Sequence, residues 1–216
     1  MEQQKWLDEA LYEYGRKDYY PFHMPGHKRE FCPGTMKNSY LVDITEIDGF
    51  DNLHHAEGIL LEAQQRAASL YGARETWYLV NGSTSGILAA VSACTSRGGE
   101  ILMARNCHKA VYHAAYLRGL TTHYLFPKAE KSVGLNGGIS PEAVREMLER
   151  YPGTEAVLIT SPTYDGVVSD VKRIAGIAHV FHVPLIVDEA HGAHFPFSEY
   201  FPESALACGA DVVIHS

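Results

Sequence analysis

Short runs of apolar residues alternate along most of the chain with segments that repeat apolar residues at helical spacing. The runs lie at 77–80, 100–104, 122–126, 156–160 and 184–187, with a last one inside 210–216. Apolar residues on both faces of so short a run are typical of strands buried in a parallel sheet. The helical segments lie at 57–71, 87–94, 110–119, 141–151 and 169–181. This alternation predicts an α/β fold with one doubly wound, mostly parallel sheet.

The first 50 residues do not follow this alternation. Residues 3–16 carry apolar side chains at helical spacing, which predicts an amphipathic helix whose apolar stripe packs on a partner surface. Residues 19–28 combine prolines and a glycine with aromatic residues and histidines, which predicts an irregular segment. This segment is either a packed connector or a part that reaches into a site, such as that of a second subunit. We therefore divide the chain into a helix and irregular arm, 1–50, and an α/β domain, 51–216.

The composition is that of an ordinary globular protein, with 46% hydrophobic and 20% charged residues. Lys and Arg number 18 and Asp and Glu 26, so the formal charge is -8, which argues against nucleic acid and anionic membranes as partners. No stretch approaches membrane-spanning length, and no signal peptide is visible. The four cysteines are far apart, so we expect free thiols and a cytoplasmic protein without a zinc site.

Histidine is abundant, with 12 residues, and several lie in close pairs. The adjacent His54 and His55 suggest a metal hydrolase as one alternative, which a metal analysis would test. No carboxylate or histidine lies at the helical i+4 spacing that would complete a site with them. We therefore predict no metal site.

A carboxylate, Asp188, directly follows the apolar run 184–187. Open α/β sheets bind their ligands at the carboxyl ends of the strands, which is where this residue is expected to lie. A carboxylate buried there is costly unless a cation meets it. A helix N-cap and a buried salt bridge are the structural alternatives to a role in binding.

A turn of glycine and hydroxyl residues, NGSTSG at 81–86, separates the first predicted strand from a predicted helix. The backbone N–H groups at the helix start and the hydroxyls of Ser83, Thr84 and Ser85 can hold a phosphate. The turn is neither a Walker loop nor a GxGxxG motif. An ordinary N-cap needs only one hydroxyl, so three in a row favour a phosphate site.

Other predicted strand ends carry a histidine and a hydroxyl-rich turn. His108 follows the run 100–104 and could stack on a planar ligand or be purely structural, and Thr163 and Tyr164 follow 156–160. A ligand with a phosphate, a flat ring and a basic ring nitrogen would satisfy these residues together with Asp188. Pyridoxal 5′-phosphate has that shape. A carboxylate beside its pyridine nitrogen keeps that nitrogen protonated, so the ring can act as an electron sink.

The chain resembles the ornithine/lysine/arginine decarboxylase group of fold-type-I pyridoxal-phosphate enzymes, in its shorter bacterial form. The motifs that carry the resemblance are PFHMPGHK (21–28), DITEIDGFDNLHHAEG (43–58), NGSTSG (81–86), NCHKA (106–110), SPTYDGV (161–167), VDEAHGAH (187–194) and VVIHS (212–216). The resemblance implies decarboxylation of lysine, arginine or ornithine to an amine and CO2, with pyridoxal phosphate as cofactor. It also implies a homodimer or a higher homo-oligomer. The acidic segment 43–51 supplies candidate partners for the substrate's side-chain cation.

By resemblance, three residues are catalytic: Asp188, His108 and His191. Asp188 would pair with the pyridine nitrogen, His108 would stack on the ring, and His191 would lie near the ring or the substrate. These residues would also bind the cofactor, together with Gly82, Ser83, Thr84, Ser85, Thr163, Ala190 and Ser216. Ser83, Thr84, Ser85 and Ser216 would contact the phosphate.

The resemblance also implies a lysine that holds the cofactor as a Schiff base, a few residues beyond the His-Ser pair at which this sequence stops. Lys109 is the only lysine beside a proposed site residue, and we do not expect it to substitute. We therefore interpret the chain as the arm plus a C-terminally incomplete cofactor-binding domain, inactive by itself. The alternatives are another fold-type-I reaction, such as that of an aldolase, desulfurase or aminotransferase, and an inactive cofactor-binding module.

Overall fold

A computed structural model of the protein describes residues 6–29 and 37–216. The chain forms two compact units, an N-terminal unit, Met1–Tyr78, and an α/β unit, Leu79–Ser216. The boundary near residue 50, which the composition suggests for the end of the arm, stays a prediction. In the described part of the chain, no helix has both the length and the apolar character that crossing a bilayer requires.

The described residues of the N-terminal unit form three helices: α1 (Leu7–Arg16), α2 (Lys37–Val42) and α3 (Ile59–Tyr71). Helix α1 lies within the predicted range 3–16, of which residues 3–5 fall outside the described residues. Helix α3 ends at Gly72, whose φ of 68° is the left-handed conformation of a C-cap glycine. Residues 19–28 are irregular, as predicted. Phe22 is 91% exposed, and Tyr19 and Tyr20 are exposed too, so the prediction of a connector packed within the chain is wrong for these rings.

The α/β unit is built on five parallel strands in the order β2-β1-β5-β6-β7. These are β1 (Glu100–Ala104), β2 (Thr121–Leu125), β5 (Thr154–Thr160), β6 (Leu185–Asp188) and β7 (Val212–Ile214). The predicted loop 127–139 contains a small antiparallel pair, β3 (Ala129–Glu130) and β4 (Leu135–Asn136). The predicted fold class is confirmed.

The α/β unit has four α-helices: α4 (Gly82–Cys94) precedes β1, and α5 (Lys109–Arg118), α6 (Pro141–Arg150) and α7 (Val171–Val180) connect strands. A short 3-10 helix, Phe195–Phe197, follows β6. Local residues fix where the helices begin. The hydroxyl of Ser140 accepts a hydrogen bond from the N–H of Ala143, with Pro141 at the first helical position. Asp170 accepts one from the N–H of Arg173 at the start of α7.

The register of the central strands determines which strand ends become neighbours. Thr160 of β5 pairs with Asp188 of β6, and Asp188 pairs with Ile214 of β7. Adjacent strands lie about 4.8 Å apart, so the segments that follow these three residues share one edge of the sheet. Most of β5 and all of β6 are buried.

The predicted strand at 77–80 is absent. Those residues pair with no strand, and Trp77, Leu79 and Val80 are exposed. An apolar run becomes a strand only when another strand pairs with it, and in the described residues none does. Helix α4 also begins at Gly82 rather than after Gly86, so the glycine and hydroxyl residues form its first turn.

Candidate functional site

Asp188 is the last residue of β6 and is only 4% exposed. Its carboxylate accepts a hydrogen bond from the N–H of Ala190, at 3.3 Å. Burial raises the pKa of Asp188 above its ordinary value, while the Ala190 N–H and the nearby rings of His108 and His191 act to lower it. The structure therefore brings together the three residues that the resemblance assigns to catalysis.

His108 occupies the N-cap position of α5. Its Nδ1 accepts a hydrogen bond from the N–H of Ala110, at 3.2 Å. With Nδ1 as the acceptor, a neutral ring carries its proton on Nε2. The structural and functional interpretations of this histidine are therefore compatible, because capping fixes the ring while leaving it exposed beside Asp188.

His191 lies in the turn that follows β6, three residues after Asp188, and its side chain is exposed. It meets Tyr164 edge to face, with ring centroids 5.8 Å apart. Thr163, in contrast, is buried, and its hydroxyl accepts a hydrogen bond from the N–H of Val167, at 3.1 Å. Thr163 therefore holds its own turn in shape, and Tyr164 with His191 forms the exposed side of this edge.

The first turn of α4 is open to an anion. Asn81 stands at the N-cap with φ 69° but makes no side-chain capping bond, and the turn has no acidic residue. Within the described residues, no hydrogen bond involves the hydroxyl of Ser83 or Thr84. Free N–H groups and the positive end of the helix dipole favour a phosphate here.

The hydroxyl of Ser85 has a different role from that of its neighbours. It donates to the backbone carbonyls of Val80, at 2.6 Å, and Gly82, at 2.8 Å. Its proton is therefore used to hold the turn that presents the start of α4. A phosphate contact from Ser85 stays a prediction, and the geometry favours a supporting role.

The phosphate turn and the carboxylate are linked through β7. A Cβ added to Gly86 would lie 3.3 Å from Cγ2 of Ile214, so α4 packs closely on the end of this strand. Ile214 pairs with Asp188, and Ser216 follows it. Helix α4 and Asp188 are therefore both neighbours of β7.

One polar pair that includes a buried carboxylate had no role in the sequence-based predictions. Glu189, 2% exposed, accepts hydrogen bonds from Nε2 of His215 and from the N–H of Ala205, both at 2.8 Å. The adjacent acid and the His-Ser pair were visible in the sequence. Their contact was not, because 26 residues separate them.

Two further polar atoms are buried at this edge without hydrogen-bond partners among the described residues. They are Oδ1 of Asn106, just after β1, and Oγ1 of Thr160, at the end of β5. Thr160 pairs in register with Asp188, so both side chains project to the same face of the sheet. Buried polar groups normally have partners, so a ligand at this edge would account for them. Their signal in the sequence is a polar residue at the end of an apolar run.

Residues 6–216 match the protein family described as Orn/Lys/Arg decarboxylase, major domain. The chain belongs to this family. The resemblance inferred from the sequence motifs is therefore confirmed. The match includes both compact units and every residue of the candidate site.

Relatives of this decarboxylase-family chain occur among curated bacterial proteins. It is 40% identical over 215 residues to the uncharacterized protein YaaO of Bacillus subtilis (strain 168), covering 97% of this chain and 45% of that protein. It is 34% identical over 216 residues to the arginine decarboxylase of Bacillus anthracis, with 97% and 44% covered. The chain thus spans a little under half the length of these relatives.

Solved structures of decarboxylases share the fold. Lysine decarboxylase A from Pseudomonas aeruginosa matches with a TM-score of 0.78 and 23% identity, covering 97% of this chain and 32% of that chain. The constitutive lysine decarboxylase of Escherichia coli matches with a TM-score of 0.75 and 23% identity, covering 89% and 29%. At these identities the likeness concerns the fold alone.

The described residues fit pyridoxal phosphate, the cofactor that the family implies. A buried carboxylate with a raised pKa and one N–H partner lacks a strong cation, and a pyridinium would supply one. The open helix start accounts for the phosphate end.

Among the described residues, no group of three His, Cys, Asp or Glu side chains could hold a metal ion. His55 instead contacts Glu57 at the surface, at 3.0 Å.

The first testable prediction concerns the charge of Asp188. Its raised pKa means that the folded chain binds this proton more tightly than the unfolded chain, so the charged form destabilises the fold at neutral pH. We expect Asp188→Asn to raise the free energy of unfolding of the cofactor-free protein at neutral pH. The difference should shrink on acidification, as pH falls through the raised pKa towards the ordinary Asp value. Denaturant unfolding at a series of pH values measures it.

The matched control is Asp165→Asn, because Asp165 lies in an exposed turn of the same unit. It should change the unfolding free energy little at any of these pH values. Equal stabilities of wild type and Asp188→Asn at neutral pH would contradict the desolvation of this carboxylate.

The second prediction concerns the close packing behind His191. A methyl group at Gly192 would lie 2.7 Å from Cγ of Glu189 and 2.8 Å from Cδ of Pro162. We expect Gly192→Ala to lower the free energy of unfolding by about 1–3 kcal/mol, because neither neighbour is the end of a flexible chain. Gly176→Ala is the control, since nothing lies within 4 Å of that site in α7. It should instead raise stability by about 0.5–1 kcal/mol. In thermal unfolding, the two substitutions should shift Tm in opposite directions.

Proposed function

We propose that this chain provides the cofactor-binding part of a pyridoxal-phosphate-dependent decarboxylase that converts lysine, arginine or ornithine to the corresponding amine and CO2. The observation that supports this most is the buried Asp188, one strand away from the helix start that can hold a phosphate. The relatives named arginine decarboxylase support the reaction type. Because the chain spans under half of their length, the activity of the whole protein belongs to the proposal.

Asp188 holds the charge at one end of the cofactor. Its burial removes the screening of water, so it favours a protonated ring nitrogen strongly. Pyridoxal phosphate, when bound, supplies an electron sink for the charge left at the substrate's α-carbon as CO2 departs. His108, fixed by its capping bond, can cover one face of a flat ring beside this acid.

The phosphate end is held by the start of α4. The N–H groups of its first turn and the hydroxyls of Ser83 and Thr84 supply neutral donors, with Ser216 as a further candidate. His191 and Tyr164 would border the substrate side, because both are exposed and in contact. These exposed rings can help exclude water once a substrate is bound.

A basic substrate needs an acid for its side-chain cation. Within segment 43–51, Asp51 is unsuited, because its carboxylate accepts hydrogen bonds from four backbone N–H groups, those of Asn52, Glu57, Gly58 and Leu60. These bonds hold its pKa far below the ordinary range. Asp43 contacts His27, at 3.3 Å, and Glu46 accepts from Thr45. Asp48 is exposed and is the better candidate.

The proposal includes a cytoplasmic homodimer with a small amino acid as its only substrate. Exposed aromatic side chains, Tyr19, Tyr20 and Phe22, support an interface at residues 19–28, since such rings are common at subunit contacts. Free cysteines support a reducing compartment. Cys107 is the clearest case, because burial raises its pKa to about 12 and keeps it a thiol.

The third prediction is that the 216-residue chain binds pyridoxal phosphate. Titration followed by cofactor absorbance and protein fluorescence measures the Kd. Asp188→Asn should weaken binding by about tenfold or more, because it removes the charge opposite the ring nitrogen. The double change Ser83→Ala with Thr84→Ala should also weaken it, whereas Ser132→Ala, in the hairpin of β3 and β4, should not. Wild-type Kd values in all variants would contradict the assigned site.

The fourth prediction concerns the reaction. We expect the complete gene product to release CO2 and amine from at least one of lysine, arginine and ornithine. Asp188→Asn should lose most of its kcat, since the electron sink depends on that charge. The 216-residue chain alone should release none. In the α/β unit, Lys172 contacts Glu203, at 3.7 Å. Lys109 is exposed.

Two measurements separate the alternatives. Borohydride reduction followed by peptide mapping should find no cofactor attached to Lys109 of the 216-residue chain, and Lys109→Arg should bind cofactor as the wild type does. Turnover by this chain, or a labelled Lys109, would refute its proposed inactivity. Transamination, sulfur release or aldol cleavage without CO2 would instead assign another reaction of the same fold.

A further inference from the structure

The buried carboxylate of Glu189 joins three segments of the α/β unit. Its Oε2 accepts a hydrogen bond from Nε2 of His215, just after β7, and its Oε1 accepts one from the N–H of Ala205, both at 2.8 Å. Its own backbone N–H donates to the carbonyl of Ile214, at 3.0 Å, and its carbonyl accepts from Gly192, at 2.8 Å. One residue next to Asp188 thereby ties the turn that contains His191 to the end of β7, through its backbone and its side chain together.

This link joins the two ends of the candidate site. Glu189 adjoins Asp188, which faces the ring nitrogen in the proposed function, and His215 adjoins Ser216, at the phosphate end. Glu189 is buried, with its side chain 2% exposed, and His215 is partly buried, at 21%. A hydrogen bond to a buried carboxylate is strong and fixes geometry, and loss of the His215 donor leaves Oε2 of Glu189 without this partner.

We propose that Glu189 and His215 are positioning residues, whose bond holds the end of β7 in register with Asp188 so that the phosphate and the ring nitrogen of one cofactor are gripped together. This inference rests on the proposed function. It goes beyond it by assigning a task to two residues that need not touch the cofactor. The task is to set the position of Ser216 relative to Asp188.

The same strand provides a matched comparison at its other end. There Nε2 of His179 contacts Oδ2 of Asp211, at 2.9 Å, just before β7. The pair has the same chemistry and length but is 47% and 40% exposed, and it lies at the opposite edge of the sheet from Asp188. Breaking it should loosen β7 without displacing Ser216.

The experiment compares two probes, pyridoxal phosphate and pyridoxal, which lacks the phosphate. In the 216-residue chain the ratio of their Kd values measures how well the phosphate end is held. His215→Phe keeps a ring but removes the donor to Glu189. We expect it to weaken the binding of pyridoxal phosphate by about tenfold, which is the cost of an unsatisfied buried group. The binding of pyridoxal should change little. His215→Gln, whose amide can reach Glu189, should restore the ratio.

His179→Phe is the control and should leave the ratio unchanged. If His215→Phe does not fold by circular dichroism, His215→Asn, too short to reach Glu189, takes its place with the same expected result. The positioning role would be overturned if the ratio of Kd values stayed unchanged in these His215 variants. An equal change of this ratio in His179→Phe would also overturn it. Failure of the wild type to bind either probe would instead refute the proposed function.

Discussion

The candidate site depends on a carboxylate buried at the end of the central strands of the α/β unit. Asp188 lies at the carboxyl end of β6, between β5 and β7, where burial raises its pKa; among the described residues, one N–H and two histidine rings act to favour its charge. A fold optimised for stability alone would put a neutral residue there. The energetic cost of burying this charge is explained if a ligand supplies a cation beside it. The register that aligns Thr160, Asp188 and Ile214 gives that cation a fixed place.

Much of this architecture could be predicted from local patterns. Apolar runs became parallel strands, and Ser140, Asp170 and Gly72 capped helices as their residue types suggest. The exception is informative. Residues 77–80 have a strand's composition but no strand beside them, and an apolar run cannot specify its own partner. Pairing is a long-range property that the local sequence does not encode.

The candidate site also has a part that could be predicted from the sequence and a part that could not. Asp188, His108 and His191 could be predicted to lie at one edge, because parallel strands send their carboxyl ends to the same side. Which hydroxyl groups hold turns and which stay open to a ligand could not be predicted. Ser85 donates to backbone carbonyls and Thr163 accepts from Val167, so both hold turns, although their positions are as suggestive as those of Ser83 and Thr84. A hydroxyl both donates and accepts, and only the fold decides which partner it meets.

Glu189 and His215 extend this point from single groups to a pair. Neither residue is informative alone, since an acid after a strand has several possible uses and a histidine is commonly structural. Their meaning comes from a 2.8 Å contact across 26 residues of chain, made by a carboxylate that is 2% exposed. Burying a carboxylate contributes little net stability compared with apolar packing, so one beside Asp188 is better explained by geometry than by stability. The two neighbouring acids would then serve one ligand by different means, with Asp188 supplying charge and Glu189 supplying position.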